Sequence, residues 1–456
     1  MRETTLAALR RFFETGETRS YDFRILQLRK LKSAILKYEQ SINEALYKDL
    51  KKSPEESYAT ETGLLIAEIN TTIKNLHRWV KPQRVSTNLM NLPSSSRVFH
   101  DPLGVVLIIA PWNYPLQLTL IPLVGAIAGG NCSLLKPSEL APATAAIIER
   151  IISEVYPPEY IKVELGEGGQ VIPAMMQSFR FDHVFYTGSI PVGKIIYQLA
   201  ANELIPVTLE LGGKSPAVVE ADANIPIAAR RIAIGKFANT GQTCIAPDYV
   251  LVHADVKDQF TEALKKCITE FFGKEPSLSY SYGRIINQKR FDQLIGYLSH
   301  GRIVFGGTHD RSSLFISPTI IEDLPLDSPL MKEEIFGPIL PVLGFSTHQE
   351  ATQIIQLNPN PLAFYVFTAD EKKEKHWIES VSFGGGCVNN ADWHFTNHHL
   401  PFGGIGNSGL GAYHGKYSFD TFTHAKAMMK TPTWIDPRIK YPPFKGKLNW
   451  FKRLIK

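Results

Sequence analysis

From Pro102 to Leu135 the chain carries no Asp, Glu, Lys or Arg. A stretch of that length has to be buried, and there are few ways to bury it. One is a membrane span, since about 20 apolar residues cross a bilayer. Pro111, Pro115 and Pro122 would break such a helix, and polar Asn113 and Gln117 fall inside the run. The better reading is strand, loop, buried helix, strand. Residues 103–110 are aliphatic and β-branched, as a strand covered on both faces must be. Gly129-Gly130-Asn131 then turns the chain into a second strand at 132–136.

The same alternation continues on both sides of the second strand. Strands are expected at 103–110, 132–136, 161–165, 182–186 and 206–210, with helical patterns between them. Strand–helix alternation at this period implies right-handed crossovers and a parallel sheet. A second α/β unit follows, with strands expected at 215–219, 249–252, 338–345 and 363–368. The first 80 residues are helical in pattern: Leu28, Leu31, Ile35, Ile42 and Leu46 recur at helical spacing among Lys and Glu. Pro82 ends that region. Residues 83–100 then read as a β-hairpin, with Val85, Thr87 and Leu89 alternating, a turn at Pro93-Ser94-Ser95-Ser96, and Arg97-Val98-Phe99 returning. A hairpin outside both sheets has free edges, which suit pairing with another subunit.

At 456 residues the chain is long enough for about three domain-sized units. Its 44% hydrophobic and 20% charged content is ordinary for a globular protein. The seven Lys and Arg between Arg438 and Lys456 outweigh the whole net charge of +5, so the rest of the chain is slightly acidic. Nucleic-acid binding is therefore not expected. Cys132, Cys244, Cys267 and Cys387 are too few and too scattered for a disulfide framework or a zinc site. No signal-like apolar stretch opens the sequence, and a free thiol fits a reducing, cytoplasmic setting.

Three short strings carry chemistry. Cys244 lies in Gly241-Gln242-Thr243-Cys244-Ile245-Ala246-Pro247. A lone cysteine is ordinarily inert core. Here a glycine and small neighbours leave room around a sulfur that could attack as the thiolate. Cys132, Cys267 and Cys387 keep the inert reading. Glu210 lies in Leu209-Glu210-Leu211-Gly212-Gly213-Lys214 at an expected strand end. Partial burial there should raise its pKa towards neutrality, as a general base requires. Asn113, in Pro111-Trp112-Asn113-Tyr114-Pro115, follows a buried strand and could offer its amide to an oxyanion. The bland alternatives are a surface charge for Glu210 and a helix cap for Asn113. Lys136 and Glu139 end another strand, where a ligand crevice forms and ribose hydroxyls could be held.

The thiol, carboxylate and amide strings together resemble the aldehyde dehydrogenase superfamily, and the resemblance runs through most of the chain. The Cys-Ile-Ala-Pro-Asp flank, the short N-terminus and Leu400-Pro401-Phe402-Gly403-Gly404 through His414-Gly415 resemble its class 3 and fatty aldehyde dehydrogenase branch. The resemblance implies a Rossmann-type NAD(P)-binding domain at 1–81 and 101–212, and an α/β catalytic domain at 213–412. It implies an oligomerisation arm at 82–100 with a C-terminal strand at 413–437, followed by a basic amphipathic tail at 438–456. It makes Cys244 the nucleophile and Glu210 the base that hydrolyses the thioester. Asn113 would hold the oxyanion together with the Cys244 backbone N–H. The Thr187–Gly193 turn, with Gly188, Ser189, Val192 and Gly193, would meet the pyrophosphate. Glu334 would bind the nicotinamide ribose beside Phe336, with Trp112 and Leu211 as further cofactor contacts. Tyr114, Thr243, Ile245 and Phe402 would line the aldehyde pocket.

The expected reaction is NAD- or NADP-dependent oxidation of medium- or long-chain aliphatic, or aromatic, aldehydes to acids, by a homodimer. An acylating enzyme passing its thioester to coenzyme A or phosphate would not need Glu210. An inactive binding homologue would not need any of the three groups. His394, His398 and His399 suit no regular tetrahedral spacing and read as exposed loop histidines, so no metal is expected. In the tail, Leu448, Trp450, Phe451, Leu454 and Ile455 fall on one side of a helix drawn through 447–456, with Lys452, Arg453 and Lys456 on the other. That helix either folds back near the substrate entrance or makes a peripheral contact with an anionic membrane.

Overall fold

A computed structural model describes the backbone of residues 2–455 and the side chains of residues 6–453 and 455. Met1 and Lys456, and the side chains of residues 2–5 and Leu454, lie outside the described residues. The fold is α/β, with two large sheets, one three-stranded sheet and one two-stranded sheet.

The first sheet has the spatial order Gly409–Leu410, Val207–Glu210, His183–Thr187, Val105–Ile109, Cys132–Lys136, Ile161–Val163. All its strands are parallel except Gly409–Leu410, which runs against Val207–Glu210. From Val105–Ile109 the chain first adds strands on one side, then returns to add His183–Thr187 on the other. This reversal makes a crevice at the carboxyl ends of the two adjacent strands. The second sheet has the order Arg302–Phe305, Thr319–Glu322, Ile339–Phe345, Tyr249–His253, Pro216–Val219, Ala363–Phe367, Gly385–Val388, parallel apart from its first pair.

The uncharged run forms Val105–Ile109, the helix Gln117–Gly129 and Cys132–Lys136, and every residue of all three is buried. A helix buried at both ends needs buried partners for its free N–H and C=O groups. Glu61, in a π-helical turn at Tyr58–Thr62, accepts from the N–H of Leu116 at 2.9 Å and of Gln117 at 3.2 Å. Lys52 balances that carboxylate at 2.8 Å and also donates to the carbonyl of Asn113 at 3.0 Å. Both Lys52 and Glu61 are completely buried. Removing one alone would strand the other charge, so this pair holds the Trp112-Asn113-Tyr114 loop rigidly. At the other end Gly130 takes a positive φ of 84° and stops the helix. Asn131 then bridges to the carbonyl of Phe422 at 2.8 Å.

The N-terminal region is helical, at Arg2–Glu14, Tyr21–Lys37, Glu39–Leu50 and Gly63–Trp79. Leu28, Leu31, Ile35, Ile42 and Leu46 are all fully buried. The three-stranded sheet holds the hairpin: Gln83–Val85 pairs with Ser95–Pro102, which pairs along its whole length with Thr423–Lys430. That outer strand is exposed at every residue after Thr423. The tail helix spans Leu448–Leu454. Phe451 packs edge-on against Phe444, and Lys447 donates to the carbonyls of Arg438 and Tyr441. The tail thus folds on itself. Trp450 stays 58% exposed.

Candidate active site

Because parallel strands point the same way, their carboxyl ends gather side chains from distant parts of the sequence. Asn113 follows Val105–Ile109, Lys136 closes Cys132–Lys136, Gly188 and Ser189 follow His183–Thr187, and Glu210 closes Val207–Glu210. From the second sheet come the loops that precede its strands: Cys244 before Tyr249–His253, and Glu334 before Ile339–Phe345.

The Cys244 loop is held in an unusual backbone path. Asn239, Thr240 and Gly241 have φ of 48°, 52° and 72°. Such values are costly for residues with a Cβ, so the surroundings must enforce them. Asn239 donates from Nδ2 to the carbonyl of Asn113 at 2.9 Å and from its N–H to Glu56 at 2.9 Å. Gln242 donates from Nε2 to Thr240 at 2.6 Å and to the Arg284 carbonyl at 3.0 Å, while its Oε1 accepts from the N–H of Ile286. A Cβ on Gly241 would stand 2.3 Å from the carbonyl oxygen of Gly337, so only glycine fits.

Asn113 is 2% exposed and donates from Nδ2 to the carbonyl of Gln242 at 2.9 Å. Its amide therefore lies beside the Cys244 loop and does not cap a helix. The second N–H of that amide is free for a further acceptor. Tyr114 and Thr243 share a hydrogen bond at 2.7 Å. Cys244, Glu210, Tyr114, Thr243, Ile245, Leu211 and Phe402 all line one narrow cavity.

Glu210 is completely buried rather than partly buried, and neither carboxylate oxygen has a partner. Burial raises its pKa well above the usual carboxylate range. Its backbone is pinned: its carbonyl accepts from Gly188 N–H at 3.0 Å, and it pairs with Gly409. The glycine-rich loop after Phe402 thus closes over this strand end. Burial also raises the Cys244 thiol, with the carboxylates of Glu334, Glu210 and Asp392 adding to the effect.

The residues assigned to a dinucleotide lie on the neighbouring strand ends and suit it. Glu334 rests over Gly212, whose Cβ would sit 2.0 Å from its carboxylate. Glu334 Oε1 is buried without a partner, and burial pushes its pKa up to about 8. Such a group suits the hydroxyl donors of a ribose. Phe336, at φ 45°, sets its ring edge-on to Trp112 at 5.4 Å. Gly193 lets the helix Ile190–Asn202 approach Leu211, since a Cβ there would come within 2.6 Å of that side chain. Ser189 precedes that helix with its hydroxyl unused as a cap, and Val192 in the first turn is 42% exposed. Lys136 and Glu139 pair at 2.9 Å, and Glu139 also accepts from Gly168 N–H at 3.1 Å.

The histidines depart from expectation. Only His399 of the three is an exposed loop residue. His394 is buried and stacked on Phe402, with its pKa lowered to about 4 by burial. His398 bonds Glu68 at 2.8 Å, and Glu68 also accepts from Gly415 N–H at 2.7 Å. Buried Glu68 anchors the loop that closes the cavity, and an anchor of this kind draws the histidines inward. Glu68, His398 and His414 offer ligand atoms within 4.8 Å of one another. Both oxygens of Glu68 and the Nδ1 of His398 already make the bonds above.

Sequence reasoning missed two buried pairs. One is Lys52 with Glu61. The other is Lys214 with Asp248, where Lys214 also donates to the carbonyls of Leu330 at 2.6 Å and Glu333 at 2.9 Å. Asp248 accepts from Ile335 N–H at 3.0 Å. Lys214 and Asp248 stand in the carboxylate and thiol strings and tie both to the Glu334 segment. The strings themselves were the signal.

A fold of this kind, with a thiol and a buried carboxylate lining one cavity and a carboxamide beside the thiol loop, defines a class, and the comparisons agree. The model described as the aldehyde dehydrogenase family matches residues 3–428, and the chain belongs to that family. It is 47% identical over 447 residues to the 4,4'-diaponeurosporen-aldehyde dehydrogenase of Staphylococcus aureus, covering 98% of this chain and 97% of that one. It is 42% identical to the dimeric NADP-preferring aldehyde dehydrogenase of Rattus norvegicus, covering 97% and 98%. The solved structure of Staphylococcus aureus AldH in its substrate-bound state matches with a TM-score of 0.97 at 46% identity, over 100% of both chains. The protein is an NAD(P)-dependent oxidoreductase acting on aldehydes.

Proposed function

We propose that Cys244 and Glu210 divide a two-step oxidation of an aldehyde to a carboxylic acid. The supporting observation is that both face one cavity, where the Glu210 carboxylate has no protein partner. The Cys244 thiolate adds to the aldehyde carbon, and the carbonyl electron pair moves to oxygen. Asn113 Nδ2–H and the Cys244 backbone N–H donate to that oxyanion. When bound, NAD(P)+ supplies the acceptor for the hydride that leaves the thiohemiacetal carbon, which becomes a thioester on Cys244. Glu210 then takes a proton from water, the oxygen adds to the thioester, and the C–S bond breaks with its electron pair returning to sulfur. Glu334, Phe336, Trp112, Lys136, Glu139, Gly188, Ser189, Val192, Gly193 and Leu211 hold the cofactor. In this reading the first sheet with the N-terminal helices is the cofactor domain, and the second sheet is the catalytic domain. The experiment is a product balance: one NAD(P)H and one carboxylic acid per aldehyde, with neither coenzyme A nor phosphate required. An acyl-CoA or acyl phosphate as product would overturn it.

Leu118, Ile245, Leu362, Phe395 and Phe402 make the cavity wall largely apolar, which supports medium- or long-chain aliphatic or aromatic aldehydes. A homodimer is supported by the exposed outer strand Thr423–Lys430 and by the rat relative, which is named dimeric. The free cysteines support a cytoplasmic setting. No described helix is long and apolar enough to cross a membrane. Peripheral contact is supported by exposed Phe444, Leu448 and Trp450 among the basic residues of the tail. Light scattering at micromolar concentration should report a dimer. Full-length protein should sediment with anionic vesicles at low salt, and the chain lacking residues 448–456 should not. A monomer counts against the arm, and equal sedimentation of both chains counts against the tail.

A further inference from the structure

The aldehyde cavity contains a carboxylate that this reaction does not use. Asp392 follows the strand Gly385–Val388 and lines the same cavity as Cys244, Glu210 and Tyr114. Its Oδ1 is buried and has no hydrogen-bond partner. Buried polar atoms are nearly always paired, and the exceptions concentrate where a ligand completes them. The backbone at Asp392 has φ 70° and ψ −36°, a conformation that a residue with a side chain adopts only when its surroundings enforce it.

Tyr365, whose hydroxyl lies within reach of the Asp392 charge, donates to the carbonyl of Ile245 at 2.6 Å. Ile245 is the residue after Cys244. The Asp392 charge acts directly on Cys244 and Tyr114, and burial pushes its own carboxyl up to about 7. Glu210 and Asp392 are the acids of the cavity wall, and the lining includes no Lys or Arg. The rest of the wall is mostly apolar or aromatic.

We infer that Asp392 is a specificity determinant for the aldehyde. It accepts a hydrogen bond from a hydroxyl or ammonium group that the substrate carries a few atoms from the carbonyl, and it disfavours aldehydes with a second acidic group. The inference rests on the aldehyde-oxidising reading of this cavity and narrows its substrate class. A plain alkyl chain leaves Oδ1 unpaired, whereas a donor at that position satisfies it, and sites with such groups discriminate strongly against analogues lacking the donor. An acidic substituent meets the Asp392 carboxylate, which is ionised above about pH 7, with no Lys or Arg in the wall to offset it.

The test is kcat/KM for n-alkanals, ω-hydroxyalkanals, ω-aminoalkanals and ω-carboxyalkanals of matched chain length, with wild type, Asp392→Val and Asp392→Asn. In Asp392→Val the preference for hydroxy- and amino-aldehydes over the matched alkanal should fall roughly tenfold or more. Its kcat/KM for the alkanal itself should rise. Asp392→Asn matches the aspartate in shape and remains informative should the valine variant fold poorly. It should keep most of the preference for hydroxyl and lose the discrimination against the carboxyalkanal. Substrate ratios equal to wild type in both variants, with alkanals turned over well, would overturn the inference alone. A wild-type enzyme that reduces no NAD(P)+ with any of these aldehydes would remove the aldehyde reading and this one with it.

Discussion

Cys244→Ser is expected to lower kcat about a thousandfold or more while NAD(P) binding, followed by protein fluorescence quenching, is retained. An alcohol is almost never ionised near neutrality and is a far weaker nucleophile than a thiolate. A thousandfold loss corresponds to roughly 4 kcal/mol of transition-state stabilisation. The hydroxyl is nearly isosteric with the thiol, and the loop around it is held by Asn239, Gln242 and Asn113 rather than by the sulfur. The fold and the dinucleotide residues on the first sheet should therefore survive the change. Turnover within a few-fold of wild type would remove Cys244 from the reaction.

Glu210→Gln should arrest the enzyme one step later. The amide cannot take a proton from water, so the thioester should accumulate. The expected trace is a burst of about one NAD(P)H per active site, then a steady rate about a hundredfold or more below wild type. Both groups also impose a pH dependence with a definite sign. Burial raises the pKa of the Glu210 carboxyl and of the Cys244 thiol, so each reaches its reactive, deprotonated form only at higher pH than an exposed counterpart. In the wild type the burst rate should follow Cys244 and the steady rate Glu210. Both should climb as the solution becomes alkaline. In Glu210→Gln the burst should keep its climb while the slow phase loses the limb due to the carboxylate. A steady rate unchanged from wild type would place the base elsewhere.

Much of the architecture was legible because burial leaves a compositional trace. Val105–Ile109 and Cys132–Lys136 have helices or strands on every side, so their residues are apolar without alternation. The N-terminal helices show their buried faces at Leu28, Leu31 and Ile35 for the same reason. The hairpin at 83–100 was legible only in outline: its first strand ends at Val85, Leu89–Asn91 forms a 3-10 turn, and the expected turn residues Ser95 and Ser96 already belong to the second strand. Its pairing with Thr423–Lys430 was not legible, because an exposed strand such as Thr-His-Ala-Lys-Ala-Met-Met-Lys carries no periodic apolar signal. The tail helix was legible as a pattern. Where it lies depends on contacts such as Phe444 with Phe451, which the pattern does not encode.

The charged residues that hold the site together were illegible for a different reason. A Lys or Glu in a helical stretch reads as solvent-facing, and usually is. Lys52 and Glu61 are buried because each answers a backbone group supplied by residues 113–117. His398 faces Glu68 across 330 residues of sequence, so no local pattern could mark it as anything but a loop histidine. Asp392 stands in a stretch without periodicity, and only the enclosed cavity distinguishes it from a surface acid.

By itself the sequence determined which segments become strands and which short strings carry a thiol, a carboxylate and a carboxamide. Both follow from local composition: strands buried on two faces must be apolar, and a reactive group needs small or glycine neighbours to leave it room. Only the tertiary structure decided that Cys244 and Glu210 open onto the same cavity with the amide of Asn113 beside the thiol loop, and that Asp392 joins them. Parallel strands align their carboxyl ends whatever their separation along the chain, and burial then sets the charge state of whatever those ends bring together.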